Sequence, residues 1–451
     1  MKIRLIEPAR YLPNGKLLKT KELFFPSLAL PYLSALTPKE IDVSITMEQF
    51  EDINFEEKVD LVGITSYTSR ILRAYEIADA FKKRGVSVVM GGLHTSMEPE
   101  EALEHTDTVI VGEAEETWQE FINDFRNGTQ KRVYVAKERP SLANLSTPRF
   151  SLLEKYKSRF VSFQKRGLFH FLPMPVLPIQ TARGCPHSCD FCSVTLFSGS
   201  QYRTRPIPDV INEIRSLGVK AYFFVDDNIF ANPTRAKELF EALIPLKIMW
   251  FGQATISAAR DKELIHLARR SGCCALYIGL ESISQRTIES IHKKSNKVAE
   301  YEDNLKAFRK EGISVMVSMI FGFDNDELTA FKDTYNFLLK NRIPYTQWYF
   351  LTPLPGTPLL KRLKQEGRLK NNKWWLNPTL TSNPFILKFT GLKIDENIFK
   401  KNYLSYYKKF YSFKSIIRRI LLPPQVRFIL KIFLNLILKK KVSINTTIIE
   451  A

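Results

Sequence analysis

Short apolar runs alternate with amphipathic segments along two stretches of this 451-residue chain. In the first stretch, residues 1–128, helix-like segments at 71–83 and 115–125 separate strand-like runs. Those runs lie at residues 3–6, 43–45, 61–65, 86–90 and 108–111. Strands that alternate with helices form a parallel sheet covered by helices on its faces. This stretch therefore predicts a doubly wound, Rossmann-like α/β domain.

The strand-like runs of this first domain end in small and polar residues. Domains of this class bind ligands at the carboxyl ends of their strands, where small residues permit close approach. Ordinary turn chemistry favours the same residue types, and that interpretation stays open. The candidate ligand contacts are Thr65, Ser66, Tyr67, Gly91, Gly92, His94, Gly112 and Glu113.

A second alternating stretch covers residues 176–359, after a connector at 129–175 that has no clear period. Its strand-like runs lie at residues 177–182, 221–225, 249–254, 276–281, 314–321 and 345–351. Six strand–helix units predict a partial or full β/α barrel, whose chemistry takes place at the carboxyl ends of the strands. Residues 360–451 are expected to form an auxiliary α-rich region.

Three of the five cysteines of the chain lie within eight positions, directly after the first barrel strand. Cys185, Cys189 and Cys192 have the spacing C-x3-C-x2-C, which indicates a metal site in a reducing compartment rather than a disulfide framework. Three thiolates can bind three irons of a 4Fe–4S cluster, so that the fourth iron lacks a protein ligand. That open iron can chelate the amino and carboxylate groups of S-adenosylmethionine (SAM).

Other metal sites would place their ligands differently. A structural zinc site uses four ligands, often in two spaced pairs. Cys273 and Cys274 are adjacent rather than spaced, and His187 lies between two cysteines in a tight loop. A structural or electron-transfer cluster with a distant fourth ligand is a further alternative. Cys273 and Cys274 are expected to be buried thiols at the start of a barrel strand.

The cysteine loop, TARGCPHSCDFC at residues 181–192, resembles that of the radical SAM superfamily. A closer resemblance is to its subgroup with an N-terminal cobalamin-binding-type domain, in particular the hopanoid methylase-like members. It is carried by FPSLALPYL at 25–33, GGLH at 91–94, GEAE at 112–115, FVDDN at 224–228 and TPLPGTP at 352–358.

This resemblance implies roles for residues at the ends of the barrel strands. Gly279 and Glu281 would approach the ribose and methionine parts of SAM, since a carboxylate accepts hydrogen bonds from hydroxyl and amino groups. Gln253 and Asp226 are further candidates for contact with the cofactor. For both, a structural hydrogen bond explains the residue equally well.

The resemblance also implies cobalamin, bound without a histidine ligand because the chain has no D-x-H-x-x-G motif. The expected reaction is methylation of an unactivated carbon in a hydrophobic or lipid-like substrate. A SAM-derived radical would abstract hydrogen, and cobalamin would deliver the methyl group. Without cobalamin, the same radical would drive cyclisation, rearrangement or carbon–carbon coupling. A flavodoxin or ferredoxin is the expected electron donor.

The formal net charge of +19 arises largely after residue 360. Residues 425–441 combine Ile, Leu, Phe and Val with a polar stripe of Arg427, Lys431, Asn435 and Lys439. Such a segment suits a helix lying in a membrane interface, and the alternative is a helix docked on the barrel. Since neither a signal peptide nor a run of about 18 apolar residues is found, the expected location is cytoplasmic, with peripheral contact at the inner membrane face.

Two rival functions account for part of the pattern. The positive charge would suit a tRNA-modifying enzyme. Methylthiotransferases of that kind carry further cysteines in an N-terminal domain, whereas residues 1–184 contain none, so no nucleic-acid partner is expected. A cofactor-dependent sensor would not need strand-end residues such as Glu281.

Overall fold

The computed structural model describes residues 1–20, 26–157 and 175–421, together with Lys431, Asn435 and Lys439. Two six-stranded sheets, in which every pairing is parallel, organise these residues. The predicted α/β fold class, with a Rossmann-like domain, a partial barrel and an α-rich C-terminal region, is confirmed.

The first sheet has the strand order β2-β1-β3-β4-β5-β6. The strands at residues 61–65, 87–91 and 108–111 are mostly apolar because helices cover both faces of the sheet. Its strands are β1 (Lys2–Glu7), β2 (Asp42–Met47), β3 (Leu61–Thr65), β4 (Ser87–Gly91), β5 (Thr108–Val111) and β6 (Val133–Val135). Its helices are α1 (Ala29–Leu36), α2 (Ile71–Lys82), α3 (Leu93–Met97), α4 (Pro99–Ala102) and α5 (Thr117–Asn127).

The second sheet is open, with the strand order β14-β13-β12-β11-β10-β7, and forms a partial barrel. Its strands are β7 (Val176–Ile179), β10 (Ala221–Phe224), β11 (Met249–Ala254), β12 (Cys273–Glu281), β13 (Ser314–Phe321) and β14 (Tyr345–Phe350). Its helices are α6 (Val194–Ser198), α7 (Ile207–Leu217), α8 (Pro233–Leu243), α9 (Lys262–Arg270), α10 (Gln285–Ser290), α11 (Tyr301–Lys310) and α12 (Ala330–Lys340). A short antiparallel pair, β8 (Ala182–Arg183) and β9 (Arg203–Thr204), flanks the cysteine loop.

Side chains of the barrel strands alternate between two environments, as the strand period of two requires. Phe224, Trp250 and Val317 are fully buried in the core beneath the helices. Phe223 and Phe251, which neighbour two of them along the strands, are only half-buried and therefore face the barrel interior. This interior opens toward the carboxyl ends of the strands, where the cysteine loop lies.

The C-terminal region packs against both sheets instead of forming a separate unit. Trp374 and Trp375 belong to the core of the first domain, whereas Phe399 and Tyr403 belong to the core of the barrel. Its helices are α13 (Pro358–Gln365), α14 (Pro378–Ser382), α15 (Glu396–Phe410) and α16 (Phe413–Ile420). This region thus connects the two domains.

The structure differs from the sequence-based expectation at the connector. β6 lies within residues 129–175 and pairs with β5, so the first sheet extends past the expected domain boundary at residue 128. The expected buried thiols at the start of a barrel strand are confirmed, because Cys273 and Cys274 open β12 and are both buried.

Most of the expected membrane-contact segment, 425–441, lies outside the described residues. Lys431 and Asn435 are described, and both are buried. The Asn435 Nδ2 donates to the Pro344 carbonyl at 3.1 Å, and its Oδ1 accepts from Arg419 at 3.1 Å. These contacts favour the docked-helix alternative for the polar stripe. Among the described residues, no helix has both the length and the apolar character needed to cross a membrane.

Candidate active site

The cysteine loop follows β8 at the carboxyl end of the barrel. Cys189 is buried, and Cys185 and Cys192 are half-buried. The Cys185 N–H donates to the Gly199 carbonyl at 3.3 Å, and the Cys192 N–H donates to the Cys189 carbonyl at 3.2 Å. Burial raises the pKa of all three thiols, to about 12 for Cys192. A bound metal must therefore displace the thiol protons, as is general for thiolate ligands.

The three-thiol donor set of the loop fits a cluster with one open iron better than a zinc site, which takes four ligands. Zinc requires its sulfur ligands to converge on one point at about 2.3 Å. Within the described residues, no three His, Cys, Asp or Glu side chains are placed to hold a metal ion in that way. A 4Fe–4S cluster gives each cysteine its own iron, so its ligands lie further apart. The three thiols are still close enough to shift one another's pKa.

A buried ion pair lies beside this loop, at the end of β12. The Lys293 ammonium lies 2.6 Å from Glu281 Oε1, and the Ser318 hydroxyl donates to Glu281 Oε2 at 3.2 Å. Burial alone would lower the pKa of Lys293, but the Glu281 carboxylate raises it above its ordinary value, so Lys293 stays charged. Cys189 also interacts with this ammonium. A cation and an anion are thus held together next to the expected cluster.

Gly279 makes room for this ion pair. A Cβ at that position would lie 2.0 Å from Glu281 Oε1 and 2.8 Å from Lys293 Nζ. Glu281 itself has a φ of 63°, a left-handed conformation that costs free energy in a non-glycine residue. The backbone here is therefore shaped around a paired carboxylate, and the contact of Glu281 with SAM stays a prediction.

The two other barrel candidates occupy different environments. Gln253 is half-buried near the end of β11 and faces the barrel interior. Asp226 is fully buried, and its two oxygens accept from the N–H, at 2.6 Å, and the hydroxyl of Thr181. Asp226 therefore supports the backbone that leads into the cysteine loop, which is the structural alternative, while Gln253 stays a predicted contact.

The loops that follow β3 and β4 of the first domain are in contact with each other. The Ser66 N–H donates to the Gly91 carbonyl at 3.3 Å. Gly92 has a φ of 98°, and a Cβ there would lie 2.7 Å from the Thr65 hydroxyl oxygen, so only glycine fits. Tyr67 is 53% exposed at this edge. The edge thus presents closely packed backbone and an exposed aromatic ring.

Two observations at this edge are compatible with a bound cobalamin group. Gly112, at the end of β5, has a φ of 82° and no heavy atom within 4 Å of a Cβ built on it, which leaves open space. The hydroxyl of Thr95, in α3, is buried without a hydrogen-bond partner. Thr65, Ser66, Tyr67, Gly91 and Gly112 are the residues that would hold the group.

Two predicted contact residues of the first domain are enclosed by protein groups instead. The His94 ring is fully buried, with Nδ1 3.1 Å from the Thr68 hydroxyl and Nε2 3.3 Å from Glu101 Oε1. Glu113 accepts hydrogen bonds from Arg183, at 2.5 Å, and from Arg203. Both polar groups are used within the protein, so each holds a loop in place rather than offering free atoms to a ligand.

Two charged residues of the site were not predicted from the sequence. Lys293 lies in a polar stretch after α10 that looks like an ordinary surface turn. Arg183, two residues before Cys185, pairs with Glu113 and also with Glu115 at 2.6 Å. Glu113 and Arg183 lie 70 positions apart in the sequence. The opposite charges of Arg183 and of the two glutamates were the only sequence signal that these residues form ion pairs.

Comparisons with known proteins identify the family. The family model for the Radical SAM superfamily matches residues 179–338, and that for the B12 binding domain matches residues 19–122. Bacteriochlorophyllide d C-12(1)-methyltransferase of Chlorobaculum tepidum is 32% identical over 383 residues, covering 83% of this chain and 81% of the relative. The chain belongs to the radical SAM enzymes with a B12-binding domain. Its radical SAM chemistry, cobalamin dependence and methyltransferase class are those predicted from the sequence.

Further relatives of this radical SAM enzyme include a hopanoid methylase, a member of the branch predicted from the sequence. Hopanoid C-2 methylase of Rhodopseudomonas palustris is 24% identical over 365 residues, covering 77% of this chain and 66% of the relative. The solved structure of OxsB with cobalamin and SAM bound has a TM-score of 0.69 and 14% identity, and covers 98% of this chain and 71% of that chain. The solved structure of the methyltransferase TsrM from Kitasatospora setae has a TM-score of 0.64 and 17% identity, and the match covers 81% of this chain and 75% of that chain. These structures share the fold.

A Gly184→Ala variant is expected to lose most of its iron. Gly184 has a φ of 88°, and a Cβ there would lie 2.3 Å from the Gln201 carbonyl oxygen, so the cysteine loop must shift. Gly218→Ala is the matched control, because Gly218 also has a positive φ but no heavy atom within 4 Å of its Cβ position. Its cost is limited to about 1–2 kcal/mol of backbone strain. Iron and sulfide content after anaerobic reconstitution measures the effect, and equal loss in both variants would contradict it.

Proposed function

We propose that this radical SAM methyltransferase adds a methyl group to an unactivated carbon of a large, mainly apolar ring system. The relatives' names support this substrate class, since they describe enzymes acting on bacteriochlorophyllide d and on hopanoids. The observation that carries the proposal is the lining of the barrel interior. Phe223, Phe251 and Met316 are half-buried on its inward face. These side chains suit a flat, apolar molecule.

Three polar side chains, Tyr277 on β12 and Gln347 and Tyr349 on β14, interrupt this apolar lining. The Tyr349 hydroxyl donates to Gln347 Oε1 at 2.5 Å, and the hydroxyls of Tyr277 and Tyr349 are 3.3 Å apart. Burial raises the pKa of both tyrosines, so the phenols stay neutral and keep their protons. Both phenolic protons are used in these bonds, so the remaining lone pairs are suited to accept a hydrogen bond from a hydroxyl substituent of the substrate.

The residues around the cysteine loop divide the remaining tasks. When bound, the cluster and cobalamin supply an electron, an open iron position for SAM and a carrier for the methyl group. Cys185, Cys189 and Cys192 would hold the cluster, and Glu281 would accept hydrogen bonds from SAM while Lys293 balances its charge. Glu113 ties the cobalamin edge to Arg183 beside the cluster loop. The walls of the barrel exclude water from the reacting carbon.

The test is anaerobic turnover with SAM labelled on its methyl group. Bacteriochlorophyllide d and a hopanoid are the two probe substrates, each assayed with hydroxocobalamin and a flavodoxin reducing system. Transfer of label to either probe supports the proposal and identifies the ring type. Release of 5′-deoxyadenosine with no labelled product from any apolar ring substrate would instead favour a cyclase or rearrangement enzyme.

A Tyr349→Phe variant is expected to raise the KM for the substrate about 2- to 10-fold, because one hydrogen bond contributes about 0.5–1.5 kcal/mol. Tyr222→Phe is the control: its hydroxyl donates to the Ile214 carbonyl at 2.9 Å on the outer face of the barrel. We expect kcat to change little in either variant. An unchanged KM in Tyr349→Phe would contradict the assigned orienting role.

Two partner assignments complete the proposal. A reduced flavodoxin or ferredoxin supplies the electron, as cluster reduction requires a donor. Residues 425–441 contact the inner membrane surface through their apolar residues, while Lys431 and Asn435 contact the protein. Co-sedimentation with anionic vesicles, compared between the full chain and a chain ending at residue 421, tests the membrane contact. Equal sedimentation of the two would contradict it.

A further inference from the structure

A buried carboxylate in α4, Glu101, gathers hydrogen-bond donors from distant parts of the chain. Tyr75 donates to its Oε1 at 2.9 Å, and the Trp375 indole N–H lies 3.0 and 3.1 Å from its two oxygens. The Lys373 ammonium lies 3.1 Å from Oε2, and His94 Nε2 lies 3.3 Å from Oε1. Glu101 itself is 3% exposed. We call these five residues the Glu101 cluster.

The Glu101 cluster is connected to both loops that would hold cobalamin. His94 lies in α3, two residues after Gly92, and its other ring nitrogen lies 3.1 Å from the Thr68 hydroxyl. Thr68 in turn follows Ser66 and Tyr67 at the end of β3. One imidazole thus fixes the relative position of the two loops, and Glu101 fixes the imidazole.

The part of the cluster contributed by Lys373 and Trp375 comes from the C-terminal region. The segment 351–375 leaves the barrel after β14 and crosses to the first domain. Along this path, a Cβ at Gly356 would lie 2.9 Å from the Met97 sulfur, and the Trp374 N–H donates to the Pro353 carbonyl at 2.7 Å. Leu360, Trp374 and Trp375 belong to the core of the first domain, so the segment is packed against that domain near both of its ends.

Glu101 is buried as an ionised carboxylate, and this state depends on its hydrogen-bond donors. Burial alone would raise the pKa of Glu101, but hydrogen bonds from His94, Trp375, Lys373 and Tyr75 outweigh it and lower the pKa to about 2. The carboxylate is therefore ionised at any working pH. A buried carboxylate that loses a donor must find another or move toward water, and His94 moves with it.

We propose that Trp375 is a positioning residue for cobalamin: through Glu101 and His94, the C-terminal region sets the spacing of the Ser66–Tyr67 and Gly91–Gly92 loops. This proposal rests on the cobalamin dependence of the proposed function. The C-terminal region is then part of the cofactor site, although none of its residues lies in the B12-binding domain.

The experiment compares Trp375→Phe with Trp374→Phe. Both variants remove one buried indole N–H from adjacent, fully buried side chains, but only Trp375 contacts Glu101. The full chain, with its cluster reconstituted, is titrated with hydroxocobalamin and binding is followed by absorbance. We expect about a 10-fold rise in the cobalamin Kd for Trp375→Phe and less than about 2-fold for Trp374→Phe. Iron content and thermal midpoint are measured on the same samples and should match between the two variants.

A second variant, at a half-exposed position, keeps the test valid if Trp375→Phe fails to fold. Lys373 is half-exposed, so Lys373→Met removes one donor from Glu101 without disturbing the core, and a Kd rise of about 2- to 3-fold is expected. Unchanged cobalamin binding in both Trp375→Phe and Lys373→Met would overturn the proposal. So would equal weakening in Trp374→Phe, because packing alone would then account for it. Absence of cobalamin binding in the unaltered chain would instead count against the proposed function.

Discussion

A Cys189→Ala variant is expected to lose its iron–sulfur cluster and to form no 5′-deoxyadenosine from SAM. Three thiolates are the fewest that hold the cluster while leaving one iron open, so removing one leaves too few ligands. Cys189 is also the most buried of the three. Iron and sulfide analysis with the visible spectrum, followed by a SAM cleavage assay under dithionite, measures both losses.

The matched control for this variant is Cys274→Ala. Cys274 is likewise buried, but at the start of β12, far along the strand from the site at its carboxyl end. The control should keep its iron and its SAM cleavage, with only the small loss of stability typical of a trimmed core side chain. Retention of a full cluster in Cys189→Ala, or its loss in Cys274→Ala, would contradict the assigned ligand set.

A Lys293→Met variant is expected to lose about 3–5 kcal/mol in free energy of unfolding, because it leaves the Glu281 carboxylate buried without its cation. The side chains of the two residues are 13% and 8% exposed, so water does little to replace the lost charge. Denaturant unfolding of the cluster-free protein measures the loss. In the reconstituted enzyme, SAM affinity should fall as well, because the unpaired carboxylate would shift away from the cofactor.

A double variant separates the two effects of Lys293. Lys293→Met combined with Glu281→Gln removes both charges, so most of the lost stability should return. SAM binding should stay weak, since the carboxylate that accepts hydrogen bonds from the cofactor is gone. Recovery of SAM affinity in the double variant would show that Glu281 acts only in folding.

The fold was predictable where the apolar pattern is strong. The run 249–254 was placed with the bounds of β11, since it is a short, mainly apolar run of the length of a buried strand. β6 was missed because it has only three residues and one of them, Val135, is 60% exposed. β12 begins at Cys273, three residues before the predicted run, because two small thiols carry no clear strand preference.

The candidate site was predictable only where its residues are close in sequence. The cysteine loop contains all three predicted cluster ligands within eight residues, so the spacing alone indicated the chemistry. The Glu101–Trp375 contact joins residues 274 positions apart, and no local pattern records such a pairing. For the same reason Glu113 was expected to contact a ligand, whereas in the folded chain its partners are Arg183 and Arg203.

The ion pairs of Arg183 with Glu113 and Glu115 have a consequence for protein engineering. They join the cofactor edge of one domain to the backbone that enters the iron–sulfur loop of the other. A chimera with the B12-binding domain of another enzyme would leave the buried Arg183 guanidinium, two residues before Cys185, without its ion-pair partners. The exception is a donor domain with acidic residues at positions 113 and 115. Exchange of domains among these enzymes is thus constrained by charge matching at the interface between the two domains. Compatible donor domains are those with acidic residues at the positions of Glu113 and Glu115.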